Sequence, residues 1–135
     1  MHCLNRFRIV CVLFVLFLGS VVYAADMGIG QPYFDVIRSL PLGDKASHFA
    51  LMGVFSVLAN LALQRRTLRP GRVGVRLGTV AVSVAVVTEE LSQIWIPGRT
   101  FDFWDLAADF LGIACGDLAA RLLWSYHRRK TCDAA

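Results

Sequence analysis

The chain has 135 residues, of which 56% are hydrophobic and 18% charged. Its mean hydropathy is +0.56. One domain over residues 1–135 is expected, and a soluble fold of this size could not bury so much apolar surface. The net charge of +4 does not point to nucleic acid. Five arginines crowd one short loop (Arg65, Arg66, Arg69, Arg72, Arg76) and four basic residues sit near the end (Arg121, Arg128, Arg129, Lys130). No aromatic residues interleave with the loop arginines and both groups flank apolar runs, the pattern of cytoplasmic loops beside anionic lipid.

Arg6 and Arg8 precede an apolar run from Ile9 to Ala25. Two readings fit it: a first membrane helix over about 9–25, or a signal peptide with a small-residue exit at Val22-Tyr23-Ala24. The retained helix is favoured, because the run is longer than a usual signal core. Gln31-Pro32 then resembles a helix start. Tyr33, Phe34, Val36, Ile37 and Leu40 cluster on one side, so a short interfacial helix ending at Pro41 is predicted on the outer face. Packing of this segment against the other helices is an equal alternative.

The second long helix is predicted over about 46–63. Asp44 is a candidate cap for its N-terminus. Asp44 and His48 are also four apart, with Lys45 three before His48, so the three share one face. After the arginine loop, with its turn at Pro70-Gly71, a third helix is expected over about 77–96. The alternating valines Val80, Val82, Val84 and Val86 could suggest a strand, but the run is too long and an isolated strand in lipid leaves its backbone unpaired. Counted at about 1.5 Å per residue, Glu89 falls well inside this helix. Glu89 and Gln93 share a face, with Glu90 about 100° away, so Glu89 is the acid expected to face the seam with Gln93.

Pro97-Gly98 closes the next turn, followed by Arg99 and a fourth helix over about 103–124. Asp102, Asp105, Asp109, Gly112, Gly116 and Ala119 recur at helical spacing and form one stripe. Its first half is acidic, and its second half is small enough for a neighbouring backbone to approach. That neighbour is either another helix of the chain or a second copy in a homo-oligomer. The tail from Tyr126 is read as frayed.

The fold expected is therefore an all-α membrane protein, a four-transmembrane-helix bundle with a short outer interfacial helix. Eleven of the fourteen Lys and Arg residues fall on the cytoplasmic side and only Asp117 and Asp133 among the acids. Both termini are accordingly placed in the cytoplasm of an inner-membrane protein.

Asp44, Lys45, His48, Glu89, Glu90, Gln93, Arg99, Asp102, Asp105 and Asp109 are thereby gathered at the outer face as one polar site. Ionisable groups in a bilayer cost about 2.5–3.5 kcal/mol each on insertion scales, so such a concentration needs a reason. The carboxylates outnumber the cations, and pairing alone cannot neutralise them unless some are protonated.

The ordered set Asp44-Lys45-x-x-His48-Phe49, Glu90-x-x-Gln93, then Pro97-Gly98-Arg99-x-Phe101-Asp102-x-x-Asp105-Leu106-x-x-Asp109-x-x-Gly112-x-x-x-Gly116 resembles the VanZ-like family of small bacterial membrane proteins. The resemblance runs from the second helix to the fourth. It departs at Asp109, where Asn is more common in the family, and it favours Glu90 as the key acid where helix geometry favours Glu89. It implies a multi-pass protein of the cell envelope, the founding member being linked to low-level teicoplanin resistance, with no defined reaction.

Three functions stay open. The site could bind a lipid headgroup, a lipid-linked envelope precursor or a lipoglycopeptide, with Lys45 and Arg99 contacting phosphate or carboxylate. It could be an intramembrane enzyme on a lipid-linked substrate, with His48 as general base or the acids holding a divalent cation. It could instead be a set of charges that only lock the helices together. Binding is preferred over catalysis: no catalytic residue, cofactor or metal ligand is assigned. Ser92 and Ser125 lack a His/Asp arrangement, and a phosphate-cradling glycine loop is absent.

Overall fold

A computed structural model describes residues 2–29, 31–64, 66–69, 74–97 and 101–132, without the side chains of 2–4 and 127–132. Five α-helices follow one another: α1 (His2–Asp26), α2 (Gln31–Ser39), α3 (Gly43–Ala62), α4 (Leu77–Ser92) and α5 (Phe103–Cys132). A 3-10 turn, Gln93–Trp95, extends α4. A two-residue antiparallel ladder, β1 (Thr67–Leu68) with β2 (Val75–Arg76), closes the α3–α4 connection in the register Thr67↔Arg76 and Leu68↔Val75. The sequence reading had only a loop there.

Among the described residues, three segments are long and apolar enough to cross a membrane: Asn5–Asp26, Gly43–Ala62 and Leu77–Trp95. α5 has the length, but its charged residues Asp105, Asp109, Asp117 and Arg121 set it apart from them in composition. It also continues through the basic tail to Cys132 rather than fraying at Tyr126. α3 starts earlier than expected, after Leu42 in the left-handed region (φ 59°). No side chain caps it, so Asp44 lies in the first turn and is not the cap.

α3 is the helix on which the bundle assembles, touching α1, α2, α4 and α5. Its tightest neighbour is α5, and small residues make that possible. A Cβ at Gly112 would collide with the Phe49 carbonyl, and one at Gly116 with the Gly53 carbonyl. The glycine stripe is thus spent within the chain, against α3. At the far end the stripe continues through Ala120, fully buried, rather than Ala119.

The apolar core is correspondingly slim: Ala59, Val82, Val86 and Ile113, with Cys11, Met52, Phe55 and Leu106 packed on its edge. α1 joins through Phe14, whose ring lies 6.1 Å from that of Phe55. Most of α1 stays uncovered, with Ile9, Val12, Leu13 and Leu16 all exposed, and α2 buries nothing. Cys115 is likewise exposed.

Replacing Gly116 with alanine should destabilise the bundle by about 1–3 kcal/mol, the usual range for overpacking. Gly19→Ala, where an added Cβ meets nothing within 4 Å, should leave stability unchanged. Thermal or denaturant unfolding of the two variants in one detergent reads the difference.

Candidate functional site

At the α4–α5 end, the first turns of α3 and the start of α5 face each other. Lys45 donates to Asp102 Oδ2 at 3.1 Å and to Asp105 Oδ1 at 2.7 Å. One turn deeper, His48 Nδ1 lies 3.1 Å from Asp109 Oδ1, while its Nε2 is 3.9 Å from Asp105 Oδ2, beyond hydrogen-bond reach. The spacing Lys45-x-x-His48 on one helix meets Asp102-x-x-Asp105-x-x-x-Asp109 on the other, so the pairs stack like rungs. Lys45, His48 and Asp102 stay partly open, with side chains 31%, 27% and 38% exposed, and Asp109 is buried at 3%.

Asp102 has a second task. Its Oδ1 accepts the Trp104 N–H at 2.8 Å and its carbonyl accepts from Asp105 and Leu106, so it caps α5. The Trp104 hydrogen bond, with Lys45 next in weight, holds the Asp102 carboxyl below the usual aspartate range. The lowered value means its contribution is complete above that range and is lost as pH falls through the folded value.

α4 closes the site with its two glutamates, and here the structure corrects the helix-face expectation. Gly78, Val82, Val86 and Glu90 form the buried i, i+4 stripe of α4, so Glu90 faces the seam. Its Oε1 accepts the Asp102 N–H at 2.8 Å. Glu89 and Gln93 do share a face, with Gln93 Nε2 donating to Glu89 Oε1 at 2.9 Å, but Glu89 is only half-buried. Asp44 is half-buried in the first turn of α3, one turn before His48. Arg99 lies outside the described residues.

Beside this cluster, Ala25, Asp26, Gly28, Gln31, Phe34, Arg38 and Pro97 line a small cleft where the end of α1 and α2 meet the α4–α5 turn. Among the described residues, no group of three or more His, Cys, Asp or Glu is arranged to hold a metal ion.

A second polar cluster, at the opposite end of the helices, escaped the sequence reading. Asp117 Oδ1 lies 3.2 Å from Arg76 Nη1, and its Oδ2 takes two bonds from Arg121, at 2.9 and 2.7 Å. Thr79 Oγ1 donates to Asp117 Oδ1 at 3.2 Å, and the fully buried Asn60 donates to Thr79 Oγ1 at 3.1 Å. Ser56, also fully buried, donates to the Ile113 carbonyl at 3.0 Å. The sequence places Arg76 with the loop arginines; it is buried and ties the start of α4 to α5. Asp117, one of two acids in an otherwise basic half, was the available signal.

Chemically, the first cluster offers a histidine oriented by a carboxylate, a lysine shared by two acids and a buried glutamate, open on one side. Such a set can exchange protons or bind a polar group.

Apolar helices whose ionisable side chains are gathered into two interhelical clusters define a helical membrane protein. A family model described as VanZ/LLP1 matches residues 7–124, and the chain belongs to this VanZ-like family. Comparison with curated proteins gives no match, and neither does comparison with solved structures.

Arg76→Ala should cost about 1–3 kcal/mol, because it strips a buried hydrogen-bonding partner from Asp117, which keeps Arg121 and Thr79. Arg121→Ala should cost no more than about 1 kcal/mol, since that side chain is 53% exposed. A double-mutant cycle of His48→Ala with Asp109→Asn should give a coupling energy of about 0.5–3 kcal/mol, whereas His48→Ala with Arg121→Ala should be additive. Unfolding in detergent measures all of these.

Proposed function

We propose that the chain is a four-span protein of the cytoplasmic membrane whose Lys45–His48–Asp102–Asp105–Asp109 cluster, with Asp44, Glu89, Glu90, Gln93 and Arg99, forms a binding site at the outer face. α1, α3, α4 and α5 are the spans, α2 lies in the outer interface, and both termini are cytoplasmic. For α5 the support is that each of its first three acids has a cationic partner in the bundle. Paired and hydrogen-bonded, those groups cost far less than hydropathy counts them. For α2 it is the one-sided placement of its exposed Tyr33, Val36 and Ile37. The basic connection after α3 and the basic end of α5 orient the bundle by the positive-inside rule.

The ligand class is a lipid headgroup, a lipid-linked envelope precursor or a lipoglycopeptide, and the role is in the cell envelope, glycopeptide resistance included. The observation that carries this reading is the half-open state of the cluster. A network that only held helices together would gain from being closed, yet Lys45, His48 and Asp102 reach the surface. Exposed Trp95, Phe103 and Trp104 flank it at the level where aromatic side chains meet headgroups.

A helix-locking role is the competing reading, favoured by Lys45 bridging two aspartates. Complementation separates the two. In cells lacking the chain, His48→Ala and Asp102→Asn variants should reach wild-type abundance by blot and still fail to restore envelope-antibiotic tolerance, teicoplanin included. Loss of the protein together with the phenotype would favour the lock.

A further inference from the structure

Glu90 is 1% exposed, the most enclosed acid of the cluster. Its Oε1 is used by the Asp102 N–H. Its Oε2 is buried and has no hydrogen-bond partner. Asp109, nearly as enclosed, has His48; among the described residues no cation lies within ion-pair distance of Glu90.

The neighbours that could compensate it are already engaged. α3 and α5 are the helices packed on α4. From α3 come Asp44, Lys45 and His48, of which Lys45 is divided between Asp102 and Asp105, and His48 sits on Asp109. From α5 and its approach come Asp102, Asp105 and Asp109. On α4 itself Glu89 adds charge of the same sign, and the Gln93 amide is turned to Glu89. Granting the cluster a charged His48 and Arg99 as well, six carboxylates (Asp44, Glu89, Glu90, Asp102, Asp105, Asp109) meet three cations. An unpaired ionised carboxylate enclosed between helices carries a desolvation cost of several kcal/mol. A metal ion would need converging ligands that the described residues do not offer.

We propose that Glu90 is an intramembrane proton-binding site, with the proton on Oε2 while Oε1 continues to accept the Asp102 N–H. Protonation removes one charge from the cluster, leaves every existing hydrogen bond in place and needs no cavity. The proton comes from water, and no other bond is made or broken. Because Glu90 anchors the capping residue of α5, proton occupancy and the placement of Asp102 and Asp105 opposite Lys45 belong to one equilibrium. This holds whether or not a headgroup occupies the site.

The chain has only two glutamates, Glu89 and Glu90, which makes the test direct. The full chain, labelled with carbon-13 at the glutamate carboxyl and placed in lipid nanodiscs, should give two carboxyl resonances at neutral pH. One should sit at the neutral-acid position and the other at the carboxylate position. Glu89→Gln, which leaves Glu90 as the sole glutamate, should keep the neutral-acid resonance, and Glu90→Gln should lose it. Two carboxylate resonances in the wild-type protein, or a neutral-acid resonance lost with Glu89, would overturn the proposal. Should Glu90→Gln fail to fold, the wild-type and Glu89→Gln spectra decide the matter by themselves.

Discussion

Contact between two helix backbones is the constraint on which this structure depends. α3 and α5 approach so closely at Gly53, Gly112 and Gly116 that the carbonyls of Phe49 and Gly53 occupy the space where α5 side chains would begin. In lipid, where burial of apolar surface does not drive association, such close packing is what holds helices together. It also fixes register. With Gly112 against Phe49, Asp109 can only meet the side chain one residue before Phe49, and Asp105 the one a turn before that. The ion-pair rungs follow from the glycine contact.

The two polar clusters sit where that contact ends. At one end Lys45 and His48 meet three aspartates; at the other Arg76 and Arg121 clasp Asp117 and draw in Thr79, with Asn60 beyond it. The clusters differ in charge balance. Around Asp117 cations exceed acids, and Asn60 and Arg76 are buried. Around Lys45 acids exceed cations and several groups reach the surface. A cluster whose acid is fully paired suits a clasp, and an acid-rich, half-open one suits exchange with something outside the chain. The difference supports assigning structure to one end and binding to the other.

Glu90 joins the apolar and the polar parts. It lies on the same buried stripe as Gly78, Val82 and Val86, so packing of α4 determines its position, and through Asp102 it determines where α5 begins. A carboxyl held by packing rather than by a cation responds to changes in hydration and charge around it. That places the most sensitive group of the site at the junction of three helices.

The sequence by itself determined the helical class, the approximate helix bounds, the rows Lys45-His48 and Asp102-Asp105-Asp109 on their separate helices, and the small-residue seam of α5, because these follow from hydropathy and from spacing along one helix. Only the tertiary structure decided which glutamate faces the seam, that Gly112 and Gly116 pack on α3, that Asp44 does not cap α3, and that Arg76 is buried on Asp117. Each of these depends on the rotation of one helix against another or on contacts between residues far apart in the chain. Helical periodicity gives the angle between Glu89 and Glu90 but no absolute direction; that direction is set when Val82 and Val86 enter the core.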